Sequence, residues 1–222
     1  EVSAALISRH KAAGVSFRFG DTVSRISEDQ GTAFVHLNSG DMIAADLILA
    51  GIGGEPNDDL ARNAGIDCDD GILVGENGLT SDPDIYAVGD VSRQFSAALG
   101  RSIRLESWQN AQNQAISVGR RIAGDPVPYN DLPWFWTDQY ENNIQIIGFP
   151  ESWDNIVWRG EPTDGKFTAI YLKDGLVVGG NTLNNARDIR PLKKFILDGV
   201  PIPQVVLSDM SKSLIKIQKS EY

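Results

Sequence analysis

The first pair of residues in this chain equipped for chemistry is Gly89-Asp90, directly after the apolar run Ile85-Tyr86-Ala87-Val88. That run predicts a β-strand, and in a parallel α/β sheet ligands sit at the carboxyl ends of strands. Gly89 has no side chain to hold a ligand away from the backbone, and Asp90 offers an acceptor-only carboxylate suited to sugar-type hydroxyls. An ordinary strand-to-turn Gly-Asp is the alternative. Trp108 stands 18 residues after Asp90, inside Arg104-Leu105-Glu106-Ser107-Trp108-Gln109-Asn110-Ala111, which opens a predicted helix. The free N–H groups and positive dipole end of such a helix favour an electron-rich ligand edge. Here the alternatives are a core aromatic for Trp108 and a helix N-terminal acid for Glu106. A third segment, Gly51-Ile52-Gly53-Gly54-Glu55-Pro56, has the look of a phosphate-binding G-x-G-x-x-G loop. It lacks the final glycine, and the carboxylates of Glu55, Asp58 and Asp59 would repel pyrophosphate.

The elements that must position these residues follow from the apolar patterning. Val2 to Gly14 reads as a helix, and Val15–Phe19, Thr22–Ser27, Ala33–Leu37 and Met42–Ala50 read as strands separated by turn residues. Within the last, the continuous run Ala44 to Ala50 predicts a strand buried on both faces. A short helix spans Asp58 to Asn63, and strands cover Ile72–Val74 and Ile85–Val88. The best helix is 107–123, with Trp108, Ala111, Ala115, Val118 and Ile122 as its apolar face and Gly124 and Pro126 as its stop. A linker rich in proline and aromatics, Pro126 through Trp136, marks a domain boundary. Beyond it a small α+β unit is expected, with strands Ile144–Gly148, Ile156–Arg159, Phe167–Leu172 and Leu176–Gly180, a hairpin turn at Asp174-Gly175, and helices over Ala186–Leu197 and Val205–Gln218.

Composition excludes several classes. The 222 residues carry a net charge of −10, which argues against general nucleic-acid binding, and no apolar run reaches the length of a membrane helix. The single cysteine, Cys68, cannot form an internal disulfide, so a reducing cytoplasm is the expected compartment. Residues 1–90 hold 16 acids against 5 basic side chains, whereas residues 186–222 hold 7 basic side chains against 4 acids. The chain begins inside an element, at Glu1 rather than Met, and reads as a fragment.

Three ordered motifs carry a family resemblance. Thr80 to Val91, TSDPDIYAVGDV, is similar to the second flavin-binding motif of flavoprotein reductases with two dinucleotide-binding domains. Gly53 to Asn57 matches their G-x-x-P-N motif, with Glu55 as an acidic departure. Pro133-Trp134-Phe135-Trp136-Thr137-Asp138-Gln139-Tyr140 resembles the P-W-F-W-S-D-Q-Y run opening the C-terminal domain of reductases of the Rieske-oxygenase ferredoxin, rubredoxin and putidaredoxin type, and Asn184-Asn185-Ala186-Arg187-Asp188 continues the likeness. The resemblance implies an α/β fold with remnants of two Rossmann-like domains, residues 1–51 (NAD(P)-binding) and 52–127 (FAD-binding). Residues 128–222 would then form a small α+β C-terminal domain with an antiparallel sheet and two helices.

The same resemblance implies that FAD accepts a hydride from NAD(P)H and passes single electrons to a ferredoxin or similar iron–sulfur protein, with no side-chain nucleophile. Gly89 and Asp90 would meet the ribityl chain. Glu106, Ser107, Trp108 and Trp136 would surround the flavin ring, with Glu106 near the nicotinamide, and Gly53 would pass the nicotinamide end of the dinucleotide. Many such acceptors are acidic, so Arg187, Arg190 and Lys194 are candidate docking residues, with Lys193 nearby. Two competing readings are an apoptosis-inducing-factor-like flavoprotein with a partner-binding role and an inactive fragment. Neither G-x-G-x-x-G fingerprint of FAD or NAD occurs in these residues, so little bound flavin is expected for this chain alone.

Overall fold

A computed structural model describes residues 2–97, 99–127 and 129–219. They divide into two compact units, Leu6–Gly54 on one side and Glu55–Tyr222 with the first few residues on the other.

The chain opens with helix α1, Val2–Ala12, which ends as expected where Gly14 takes φ +90°. Strands β1 (Val23–Asp29), β2 (Thr32–Leu37) and β3 (Met42–Ala45) follow as an antiparallel meander. Gln30 and Gly31, with φ of 49° and 81°, make the tight turn between the first two, a conformation matched to the strand twist. Two expectations fail in this unit. Val15–Phe19 forms no strand, and the run Ala44 to Ala50 leaves its ladder at Ala45, with Leu47 76% and Leu49 86% exposed. A strand buried on both faces needs sheet neighbours and covering helices. Residues 46–50 pair with no strand among the described residues, and Leu37 is the unit's one buried hydrophobic side chain among them.

The second unit begins with α2, Asp59–Asn63, stabilised by Arg62, which donates to both carboxylate oxygens of Asp58 at 2.8 and 2.9 Å. That bidentate pair, with a further donation from the Gly71 N–H at 3.2 Å, holds the Asp58 carboxyl below the usual carboxylate range. Strand β4 (Ile72–Val74) pairs in parallel with β5 (Ser92–Ser96), which returns antiparallel into β6 (Arg101–Arg104). This hairpin has no counterpart in the sequence reading. Arg93 stands directly opposite Arg104, an unfavourable like-charge pair on its own. Asp69 and Asp70 offset it: Arg93 lies 3.4 and 3.7 Å from their carboxylates, and Arg104 lies 3.3 Å from Asp70.

The expected strand Ile85–Val88 is reduced to one bridge, Leu79 to Tyr86. Its backbone groups are used within a local loop instead. Thr80 N donates to Ile85 O, Ala87 N donates to Gly78 O, and the Thr80 hydroxyl donates to Asp82 O and Ile85 O. A single 3-10 turn, Gly89–Val91, follows.

Helix α3, Trp108–Ile122, forms where the periodicity puts it but buries a different face. Asn110, Gln114, Ser117 and Val118 are buried, while Trp108 and Ile122 are 68% and 67% exposed. Polar residues occupy the packed stripe because each finds a hydrogen-bond partner there: Ser117, for example, donates to Val127 O at 2.5 Å.

The aromatic segment expected as a linker is instead the first strand of a five-stranded antiparallel sheet. Its strands are β7 (Trp134–Gln139), β8 (Asn142–Ile147), β9 (Asn155–Arg159), β10 (Phe167–Lys173) and β11 (Leu176–Leu183). Their order is β7-β8-β11-β10-β9. The Asp174-Gly175 hairpin is as expected, with φ of 51° and 78°. Helix α4, Ile189–Asp198, packs Leu192 and Phe195 into the core with Ile170, Leu172 and Ile147. Gly180 permits this approach, since a Cβ there would lie 2.8 Å from Leu192 Cδ1. The final expected helix is split into α5, Gln204–Ser208, and α6, Leu214–Lys219. Between them Asp209 Oδ1 accepts from the N–H and hydroxyl of Ser211, and the buried Arg159 guanidinium donates to the carbonyls of Leu207, Asp209 and Lys212. The guanidinium thereby ties down the turn that separates the two helices.

Candidate functional site

A cleft of about 500 Å³ opens at the N-terminal end of α3, where that helix meets β7. Ser107 caps the helix, its hydroxyl accepting from Asn110 N at 3.3 Å. The N–H groups of Trp108 and Gln109 in the same turn have no intrahelical acceptor, and the cleft lies at the positive end of a four-turn dipole. Its walls are aromatic. Trp108 meets Trp136 edge to face, with ring centroids 6.4 Å apart at 82°, and Trp136 stacks on Trp134 at 4.9 Å and 28°. Trp134 is itself fixed by donation of its indole N–H to Gln145 Oε1 at 3.1 Å. Phe149, after β8, closes one end.

Glu106 lines the cleft but is not an isolated acid. Its carboxylate accepts from Arg104 Nη1 at 2.5 Å, and Arg104 Nη2 reaches Asp70 at 3.3 Å. The contact with Glu106, followed by the proximity of Asp70, raises the Arg104 guanidinium above its ordinary value, so the arginine stays cationic throughout. Two carboxylates around one guanidinium leave a negative rim beside the dipole's positive end. Arg104 belongs to the quoted motif, yet nothing in its local sequence distinguished it from a surface arginine. Its partners Asp70 and Glu106 lie on either side of it in the chain, and Asp70 arrives only through the fold.

Gly89 and Asp90 sit at the flank of the same helix. Gly89 has φ +75° and lies so near α3 that a Cβ would come within 3.4 Å of the Ala111 Cβ. Its N–H donates to Gln114 Oε1 at 2.7 Å. The following turn leaves the Asp90 side chain exposed while its carbonyl accepts from Arg104 Nη1 at 3.3 Å. The fold thus brings Gly89, Asp90, Glu106, Ser107, Trp108 and Trp136 around the first turns of one helix. Gly53 belongs to the Leu6–Gly54 unit, exposed and with φ +94°. Gln114 escaped the sequence reading because a glutamine on an amphipathic helix looks solvated. The spacing of Asn110, Gln114 and Ser117 was the available signal.

The basic candidates are not among the residues that line the cleft. Arg187 falls in the 3-10 turn Ala186–Asp188, and Arg190 and Lys194 stand one turn apart on α4, so the three do not share one continuous helix. Lys194 pairs with Asp198 at 2.6 Å and Arg187 lies 4.0 Å from Asp188, while Arg190 makes no ion pair among the described residues. Lys193 pairs with Asp131 at 3.4 Å.

Comparison with known proteins shows the family. Residues 1–115 match the family model for pyridine nucleotide-disulphide oxidoreductases, and residues 134–218 match the reductase C-terminal domain. The ferredoxin reductase for the CYP199A2 system from Rhodopseudomonas palustris is 34% identical with a TM-score of 0.91, covering 98% of this chain and 54% of its own. Putidaredoxin reductase, in its covalent complex with putidaredoxin, is 35% identical with a TM-score of 0.91, over 99% of this chain and 54% of that one. A NAD-dependent persulfide reductase from A. fulgidus, 20% identical with a TM-score of 0.83, covers 98% of this chain and 46% of its own and shares the fold. The chain therefore spans about half the length of the solved structures it matches. With a family model matching more than half its residues and relatives above 30% identity along nearly all of it, this chain belongs to the pyridine nucleotide-disulphide oxidoreductase family and carries a reductase-type C-terminal domain.

Proposed function

We propose that this chain is part of a reductase that takes a hydride from NAD(P)H onto FAD and passes single electrons to a ferredoxin-like iron–sulfur protein, in support of an oxygenase system. In that reading residues 1–51 belong to the NAD(P)-binding domain, 52–127 to the FAD-binding domain and 128–222 to the C-terminal domain. The observation that carries the proposal is the convergence on the α3 N-terminus: backbone donors and a helix dipole at one side of an aromatic cleft, with an exposed carboxylate at the Gly89-Asp90 turn beside the same helix.

The residues fit FAD on several counts. A planar tricyclic ring suits a cleft walled by Trp108 and Trp136. Asp90 offers an acceptor to ribityl hydroxyls, and Gly89 holds a φ of +75°, a backbone conformation that side-chain-bearing residues rarely adopt. When bound, FAD supplies two-electron acceptance from the nicotinamide and one-electron release to the iron–sulfur centre. The chain's own residues orient and polarise it. The first-turn N–H groups of α3 stabilise negative charge on the pyrimidine edge, the tryptophans exclude water, and the Arg104–Glu106 pair sets the charge where the nicotinamide would approach. Gly53 would lie along the nicotinamide end of NAD(P)H. No side chain needs to form a covalent bond.

Electron delivery requires docking, and Arg187, Arg190 and Lys194 supply an exposed basic stretch for an acidic acceptor. Arg190, without an ion pair of its own among the described residues, is expected to contribute most. In the full-length polypeptide, reversing all three to Glu should slow reduction of a [2Fe–2S] ferredoxin at least ~10-fold at low ionic strength and flatten the salt dependence. Reduction of ferricyanide, which needs no docking, should be unchanged. An unaltered ferredoxin rate would remove these residues from the interface. Failure of the wild type to reduce any acceptor with NADH or NADPH would overturn the reductase assignment itself.

A further inference from the structure

The buried face of α3 is polar, and its hydrogen bonds form a closed circuit that the apolar-face pattern does not explain. Gln114, 1% exposed, accepts at Oε1 from Gly89 N at 2.7 Å and from the Ser92 hydroxyl at 2.9 Å. Its Nε2 donates to Gln94 Oε1 at 3.1 Å, and Gln94 Nε2 donates to Tyr129 O at 2.7 Å. Tyr129 then donates its phenol hydrogen to Asn110 Oδ1 at 2.9 Å, and Asn110 Nδ2 donates to Leu105 O at 3.1 Å. Asn110 and Gln114 are one helical turn apart, so the helix backbone closes the ring. One end of the circuit grips the turn that carries Asp90, and the other grips the segment that carries Glu106, Ser107 and Trp108.

We propose that Gln114 and Asn110 are positioning residues that lock the Gly89-Asp90 turn and the Leu105–Trp108 segment into one rigid cradle for FAD, neither residue touching the cofactor itself. The inference rests on the flavin site described above. Three observations favour this over simple core filling. Both side-chain functions of Gln114 are bonded: Oε1 takes two donors and Nε2 gives one, so the amide orientation is determined by its partners. The bonds at Gln114 are buried. Members of the circuit line a small pocket of about 20 Å³, room for a single water molecule, and buried hydrogen bonds are stronger and polarise one another. Burial, with Asp131 nearby, pushes the Tyr129 phenol up to about 12, so it remains a donor to Asn110 over the whole physiological range.

The test uses the full-length polypeptide with FAD itself as the probe. Gln114→Met keeps the side-chain length and burial but can neither accept from Gly89 nor donate to Gln94. Its FAD dissociation constant should rise at least ~10-fold, and the visible circular dichroism of bound flavin should change. Ser117→Ala is the control. It removes a buried hydrogen bond from the same helix face, to Val127 O outside the circuit, and should lower Tm comparably while leaving FAD affinity within ~2-fold. Asn110→Leu combined with Gln114→Met should weaken binding by less than the product of the two single effects, because either break opens the same ring. Should Gln114→Met fail to fold, Ser92→Ala removes one donor to Oε1 and is expected to raise the dissociation constant ~3-fold. Equal FAD affinity and an identical flavin spectrum in wild type and the circuit variants, Tm loss notwithstanding, would make Gln114 and Asn110 packing residues only. No flavin binding by the wild type would overturn the cradle and the proposed function together, whereas normal wild-type binding with unaffected variants overturns the cradle alone.

Discussion

Asp90→Leu in the full-length polypeptide is expected to weaken FAD binding by about 10- to 100-fold with little change in folding stability. The expectation follows from where the fold leaves this side chain. Asp90 is exposed, and the contact its residue makes with Arg104 is through the backbone carbonyl, which leucine retains. The carboxylate therefore has no structural duty that its loss would expose, and a surface substitution of this kind changes stability by roughly 0.5 kcal/mol or less. A hydrogen bond to a charged acceptor contributes about 1.5–3 kcal/mol, and each 1.4 kcal/mol is tenfold in affinity, which gives the stated range. Asp90→Asn keeps an acceptor oxygen without the charge and should lose only several-fold. Flavin fluorescence quenching against FAD concentration measures the affinity, and a thermal melt of the apoprotein measures the stability. Equal affinities for wild type and Asp90→Leu would show that the ribityl chain is held elsewhere, whatever the family motif suggests.

Phe195→Ala is expected to cost about 3–5 kcal/mol of the stability of the second unit, a large part of a typical domain's total. Phe195 is 1% exposed and sits in α4 among Leu192, Ile170, Leu207 and Leu214, themselves 0% exposed. Every element of the C-terminal sheet-and-helix layer contributes to that cluster, so the void has no mobile neighbour to collapse into it. Urea unfolding followed by tryptophan fluorescence is the measurement, since Trp134 packs against the same core. A loss below ~1 kcal/mol would mean that α4 does not close over the sheet as described. The effect is independent of any cofactor, so the result tests the fold without testing the function.

Local features were legible where their physics is local. The Asp174-Gly175 turn was readable because its positive φ angles suit those two residue types wherever they occur. Helix α3 was readable from its start at Ser107 and its stop near Gly124, since capping and termination are decided within a few residues. The face it buries was not. Trp108 and Ile122 look more like core residues than Asn110 and Gln114 do. The polar pair is nevertheless buried, because Gly89, Gln94 and Tyr129 arrive from three other segments with complementary donors and acceptors. Ala44 to Ala50 erred in the opposite sense: its residues have the composition of a doubly covered strand, but cover is supplied by other elements.

The candidate site divides along the same line. Three ordered motifs, Gly53 to Asn57, Thr80 to Val91 and Pro133 to Tyr140, were sufficient to identify the family and the chemistry to look for. Only the tertiary structure decided that Arg104 ties Glu106 and Asp70 together, that the Trp108 and Trp136 rings meet nearly at right angles, and that Trp134-Phe135-Trp136 is a paired strand and not a linker. The reason is range. Motif identity is carried by neighbours in sequence, whereas charge pairing, ring contact and strand pairing depend on residues many positions away that become neighbours only when the chain has folded.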